Sequence, residues 1–234
     1  MRFILRSYFF KSLHRLFYPK ACVICRLALI KQERQICAYC LRELPKTRWL
    51  NPQENPVFNV FRGRVPIGHS GAFLVFRSGG ITRKLLHEIK YKDNCDLALW
   101  MGEMYADELL QTSRPQVDFI IPVPLHRRKQ KQRGYNQSEA FAEGLGSKLS
   151  VPVCTEFLQR RAFTQTQTRK SRWERWRNVA DVFVVSHPEE LKNKIIMLVD
   201  DVVTTGATME ACVRVLLNAG AQRVDVHTIA YAKE

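Results

Sequence analysis

The run Ile195-Ile196-Met197-Leu198-Val199-Asp200-Asp201-Val202-Val203-Thr204-Thr205-Gly206-Ala207-Thr208 decides the fold. Its first five residues are all apolar and read as a strand buried on both faces, the habit of parallel sheets. Asp200 and Asp201 stand where that strand is expected to end, and three threonines around Gly206 follow them. Met209, Cys212, Val213, Leu216 and Leu217 then recur at helical spacing up to Gly220, a helix-stopping residue. Strand, acid pair, hydroxyl-rich turn and helix start, in that order, build a pocket for a sugar phosphate. Backbone N–H groups and threonine hydroxyls at a helix N-terminus hold phosphate. Carboxylates at the strand end accept hydrogen bonds from sugar hydroxyls. A plain helix cap requires one polar residue here, not five.

Outward from this run, the apolar pattern predicts one or two strands over 65–77, helix over 81–90 and 97–110, and strand over 117–123. It then predicts helix over 138–148 with Ser138 as its cap, short strands at 151–153 and 181–185, helix over 209–217 and a last strand over 223–231. Strands alternating with helices indicate an α/β fold with a doubly wound, mainly parallel sheet. Asn51-Pro52-Gln53-Glu54-Asn55-Pro56 has linker chemistry. We therefore expect three parts: residues 1–48 as an N-terminal helix and cysteine module, 49–115 as linker and hood, and 116–234 as the main core.

Ligands of such sheets sit beyond the carboxyl ends of the strands. The strand expected at 117–123 runs into Arg127-Arg128-Lys129-Gln130-Lys131-Gln132-Arg133-Gly134-Tyr135-Asn136-Gln137. This stretch should face the same crevice as Asp200. Its cations, a glycine permitting close backbone approach and amide donors suit a pyrophosphate.

Cys22-x2-Cys25 and Cys37-x2-Cys40 are two knuckles eleven residues apart. Each offers two sulfurs from one tight turn, and together they complete a closed tetrahedron for a structural Zn2+. A closed site leaves no open position, so this metal is expected to hold the segment together and not to catalyse. Cys95, Cys154 and Cys212 sit among apolar neighbours and read as core fillers.

The net charge of +15 is unevenly spread. Residues 1–48 hold eleven Lys/Arg against two Asp/Glu, and residues 126–177 hold thirteen against four, while the other segments carry no positive excess. Such clustering points to a polyanionic partner. No apolar run approaches the roughly 18 residues that span a bilayer. The uncharged runs near the N-terminus are too short for a signal peptide, so a cytoplasmic chain with reduced cysteines is expected. Residues 1–20 have the make-up of a basic amphipathic helix, which either packs on its own domain or lies on an anionic membrane.

The run from Asp200 to Thr208 resembles the ribose-phosphate motif of the type I phosphoribosyltransferases. The match implies that Asp200 and Asp201 bind ribose hydroxyls of phosphoribosyl pyrophosphate and orient the water shell of Mg2+. Thr204, Thr205, Gly206, Ala207 and Thr208 would wrap the 5′-phosphate. Pro122-Val123-Pro124-Leu125, Arg133-Gly134-Tyr135-Asn136-Gln137 and the four cysteines narrow the resemblance to the ComF (competence protein F) family. Leu86-x3-Lys90-Tyr91, Arg161-x2-Thr164-x2-Gln167 and Arg175-x2-Asn178 extend it over nearly the whole chain.

That family implies a cytoplasmic role in natural transformation, with single-stranded DNA and DNA-uptake proteins as partners, while peripheral contact with the inner face of the membrane is the second reading of the amphipathic residues 1–20. By the same resemblance Lys131, Arg133, Gly134, Asn136 and Gln137 face the pyrophosphate. The alternative is an active phosphoribosyltransferase on an acceptor that no motif identifies. The chain departs from the family where Thr164-Gln165-Thr166-Gln167 doubles a dipeptide and Trp173 and Trp176 stand among arginines. Residues 160–178 are either a lid over the leaving group or a basic surface helix, and the two tryptophans either stack on bases or pack in the core.

Overall fold

The computed structural model describes residues 20–49, 51–112, 114–161 and 182–232. Helix α1 (Ala38–Arg42) ends the cysteine segment, and α2 (Pro56–Phe61) precedes β1 (Ser70–Phe76), α3 (Ile81–Tyr91) and α4 (Cys95–Thr112). Strand β2 (Phe119–Pro122) leads into α5 (Arg127–Arg133) and α6 (Gln137–Leu149). The remaining elements are β3 (Leu158–Arg160), β4 (Phe183–Val185), α7 (Pro188–Leu191), β5 (Ile195–Val203), α8 (Ala207–Asn218) and β6 (Arg223–Ala232).

The five apolar residues at the start of β5 do form a strand buried from both sides. Met197 and Val199 pack in one apolar cluster with Leu85 and Ile89 of α3, Met101 of α4 and Phe141 of α6. Ile196 and Leu198 pack in a second cluster with Phe61 of α2 and Cys212, Val213 and Leu216 of α8. Successive residues point to opposite faces, so a continuous apolar run fills both layers. The four-stranded sheet has the order β1-β6-β5-β2, and every pairing in it is parallel. This is the expected doubly wound α/β architecture. Helices α4 and α6 cross at two glycines. A Cβ on Gly102 would lie 2.2 Å from the Phe141 carbonyl, and one on Gly144 2.0 Å from the Leu99 carbonyl.

Several boundaries differ from those expected. Strand β5 does not stop at Val199; it continues through both aspartates because β6 is long enough to pair Asp200 with Thr228 and Val203 with Tyr231. Over 65–77, where one or two strands were expected, strand begins only at Ser70. At 151–153 a single bridge joins Val153 to Ile120, since Pro152 has no N–H to donate; the Pro152 carbonyl accepts from Ile120 instead. The strand β3 forms later, antiparallel to β4. The basic stretch after β2, to which the apolar pattern assigned no element, is the helix α5, and α6 is capped by Asn136, not Ser138. The expected N-terminal helix lies outside the described residues except for Lys20, as do Trp173, Trp176 and residues 162–178 of the expected lid.

The cysteine segment packs on this core. Val23, Ile24, Ile36 and Leu44 share the cluster of α3, α4 and α6. Polar ties surround that contact: Arg26 pairs with Glu88, Arg34 with Glu103 at 2.7 Å, and the Asn94 amide donates to Gln35 at 2.7 Å.

Candidate functional site

Because β2 pairs directly with β5, the segments leaving their carboxyl ends emerge side by side. Pro122 stands opposite Val199, and the Val123 N–H donates to the Val199 carbonyl at 2.9 Å. The Asn136 amide then donates to the Val123 carbonyl at 3.1 Å, while its carbonyl oxygen accepts from the Ser138 N–H. These bonds bring the start of α6 onto the acid pair.

Asp200 is half-buried, and its Oδ1 accepts from the Ser138 hydroxyl and the Asp201 N–H, both at 2.8 Å. Burial, and next the neighbouring Asp201 carboxylate, push its pKa up to about 7. Asp201 faces α3, where its Oδ2 lies 2.8 Å from the Lys90 ammonium. Thr204, Thr205, Ala207 and Thr208 are exposed around the first turn of α8. The cap of that helix is Gly206, which carries no side chain to close the turn and has φ of 73°. Two constraints select glycine there. The left-handed backbone is one, and the other is space, because a Cβ would lie 2.5 Å from Val60 Cγ1.

The loop's far side is held by Arg64, whose Nη1 donates to the Thr205 carbonyl at 2.6 Å and which also pairs with Glu210. Burial works against the Glu210 carboxylate, but Arg214 and Arg64 outweigh it and keep its pKa below the usual range.

The residues expected at the pyrophosphate divide into two groups. Lys131 is exposed and Arg133 is half-buried with its guanidinium 5.6 Å from the Tyr91 ring. Gly134 takes φ of 74°, beside Asp93. Asn136 and Gln137 are buried; Asn136 serves as cap and tie, while the Gln137 Nε2 has no hydrogen-bond partner. The Tyr135 hydroxyl donates to the Ile89 carbonyl and so pins this segment to α3. Lys90, Arg64 and the acceptor role of Asp200 toward Ser138 escaped the sequence reading. Only Lys90 left a trace, as part of Leu86-x3-Lys90-Tyr91.

The four cysteine sulfurs of Cys22, Cys25, Cys37 and Cys40 all lie within 4.8 Å of one another. Zn–S bonds of about 2.3 Å place tetrahedral sulfurs about 3.8 Å apart. The Cys25 and Cys37 sulfurs are separated by 3.7 Å, so the cluster fits such an ion. The Cys37 N–H donates to the Cys22 sulfur at 3.4 Å, a bond that favours thiolate.

Residues 136–234 match the phosphoribosyl transferase domain family. The chain is 28% identical over 231 residues to the DNA utilization protein YhgH of Salmonella typhi, covering 89% of this chain and 95% of that protein. It is 33% identical over 114 residues to competence protein F of Haemophilus influenzae, across 48% of this chain and 50% of its relative. Among solved structures it is similar to the glutamine phosphoribosylpyrophosphate amidotransferase of B. subtilis in complex with ADP and GMP, with a TM-score of 0.41 and 23% identity. That likeness covers 55% of this chain, which spans only 25% of the solved one. The chain is thus a homologue of competence protein F and of the YhgH DNA utilization proteins, with a phosphoribosyl transferase domain behind an N-terminal four-cysteine cluster.

Proposed function

We propose that this is a competence-associated cytoplasmic protein that handles single-stranded DNA during natural transformation and holds phosphoribosyl pyrophosphate between β5, α8 and α5. The observation that carries the reading is the convergence of Asp200 and Asp201 with the exposed turn from Thr204 to Thr208 at a helix start that no side chain caps. The acids accept from ribose hydroxyls, and the α8 N-terminus takes the 5′-phosphate. Lys131 and Arg133 face the pyrophosphate. Asp200 and Asp201 would hold Mg2+, which would supply charge neutralisation to a leaving pyrophosphate. Its donors fit through a water shell, because Asp200 and Asp201 already engage Ser138 and Lys90. Zn2+ in the four-cysteine site is structural.

Asp200→Asn/Asp201→Asn should weaken phosphoribosyl pyrophosphate binding at least tenfold in calorimetry and leave single-stranded DNA affinity unchanged. Equal ligand affinity in the double variant removes the pocket assignment. A second reading, transfer of phosphoribose to an acceptor, is favoured by the completeness of the acid pair and phosphate turn. Asp200-dependent release of pyrophosphate from protein incubated with the ligand and cell extract would establish it; binding without release supports the first reading.

A further inference from the structure

Lys90 comes from α3, outside the 136–234 region that matches the phosphoribosyl transferase family, yet its ammonium lies 2.8 Å from Asp201 Oδ2. Both side chains are largely withdrawn from water, at 22% and 17% exposure. An ion pair so placed loses much of its hydration and is weak evidence for stability by itself. Its surroundings give it another task. Asp200 and Asp201 put two carboxylates on adjacent residues, and the carbonyl end of α3, in whose last turn Lys90 sits, adds partial negative charge. The Tyr135 hydroxyl bond to Ile89 fixes that last turn against the segment approaching α6.

We infer that Lys90 is the resident counter-cation of the acid pair, occupying the face of Asp201 that a hydrated divalent cation or a ribose hydroxyl meets when the site fills. This rests on reading the pair as a ribose-phosphate site. Lys90 keeps the acids compatible with one another in the ligand-free protein, and an incoming divalent cation must compete with it. Lys90 is a positioning residue, acting through Asp201.

The test is Mn2+ titration, by electron paramagnetic resonance, of ligand-free wild type, Lys90→Gln and Lys90→Arg, each checked for an intact melting transition. Removing the competing charge should tighten Mn2+ binding by roughly tenfold in Lys90→Gln, while Lys90→Arg stays near wild type. The gain should vanish when Asp201→Asn is added. Equal Mn2+ affinity in wild type and Lys90→Gln, absence of binding to both, or a gain that survives Asp201→Asn overturns the inference. A parallel calorimetric titration with phosphoribosyl pyrophosphate separates the two readings. Loss of ligand binding by wild type, with the Mn2+ competition intact, removes the ribose-phosphate assignment and upholds Lys90 as counter-cation.

Discussion

His227 lies in β6 at 4% exposure, with its Nδ1 2.9 Å from the Tyr105 hydroxyl. It lines a cavity of about 570 Å3 at the amino ends of β1 and β6, opposite the acid pair. Burial pushes its pKa down to about 4; the Asp225 carboxylate works against this, and His69 adds to it. The imidazole is therefore neutral in the folded protein at pH 7. Between an unfolded value near 6.5 and the folded value, only the unfolded chain takes up the proton, so the contribution of His227 to stability is intact above about pH 6.5 and is lost as pH drops toward 4. The full loss is of order 3 kcal/mol. Asp200, raised to about 7, gains stability over the same range and opposes this loss, so the histidine is isolated by difference: in urea unfolding at pH 7 and pH 5, wild type should lose about 2 kcal/mol relative to His227→Asn. A second residue, Gly206, is constrained by its φ of 73° and by Val60, whose Cγ1 would lie 2.5 Å from an added Cβ. Gly206→Ala should cost about 1–2 kcal/mol for the left-handed backbone, plus the displacement of α2, and should weaken ligand binding more than tenfold. A melting curve and a calorimetric titration check the two effects together.

At the scale of elements, α3 links the two unusual features of the chain. Glu88 pairs with Arg26, the Lys84 ammonium donates to the Ile24 carbonyl at 3.4 Å, and Lys90 reaches Asp201 from the same helix. Sequestering the metal should release the knuckles, loosen α3 and change the pocket. Hydrogen exchange with and without a zinc chelator should show faster exchange over residues 81–91 as well as 20–44. Acceleration confined to 20–44 would show the module to be energetically separate. Much of the element order was legible beforehand, for physical reasons. The buried run of β5 has no surface alternative, and Cys-x2-Cys spacing has few other uses. Strand ends were not legible, because Val202 and Val203 stay in β5 only through the length of its neighbour β6. Contacts such as Lys90 with Asp201 join residues far apart in sequence, and no local periodicity encodes them. Asn136 took the capping role expected of Ser138 because the turn at Gly134 starts the helix one residue early, freeing Ser138 for Asp200.

For the molecule as a whole, the +15 charge is not all available to a partner. In the cysteine module Arg26 is tied to Glu88, and Arg34 lies 2.7 Å from Glu103 and 5.4 Å from the Trp100 ring centre. These two cations dock the module on α3 and α4. On α5, by contrast, Lys129 and Lys131 are exposed. Lys20, Lys31 and Arg48 of the cysteine segment are exposed as well; the second basic segment is set apart by following the carboxyl end of β2, beside the acid pair. Each phosphate contact to a single strand contributes about 0.7 to the slope of log affinity against log salt. Lys129→Gln/Lys131→Gln should reduce that slope for single-stranded DNA by about 1.4 without changing the melting temperature. Arg26→Gln/Arg34→Gln should do the reverse, lowering the melting temperature by several degrees and leaving the slope in place. Fluorescence anisotropy across a salt series, with thermal melts of the same samples, distinguishes the two. A slope that responds only to the Arg26 and Arg34 changes would move the DNA surface to the cysteine module and reduce α5 to a pyrophosphate clamp.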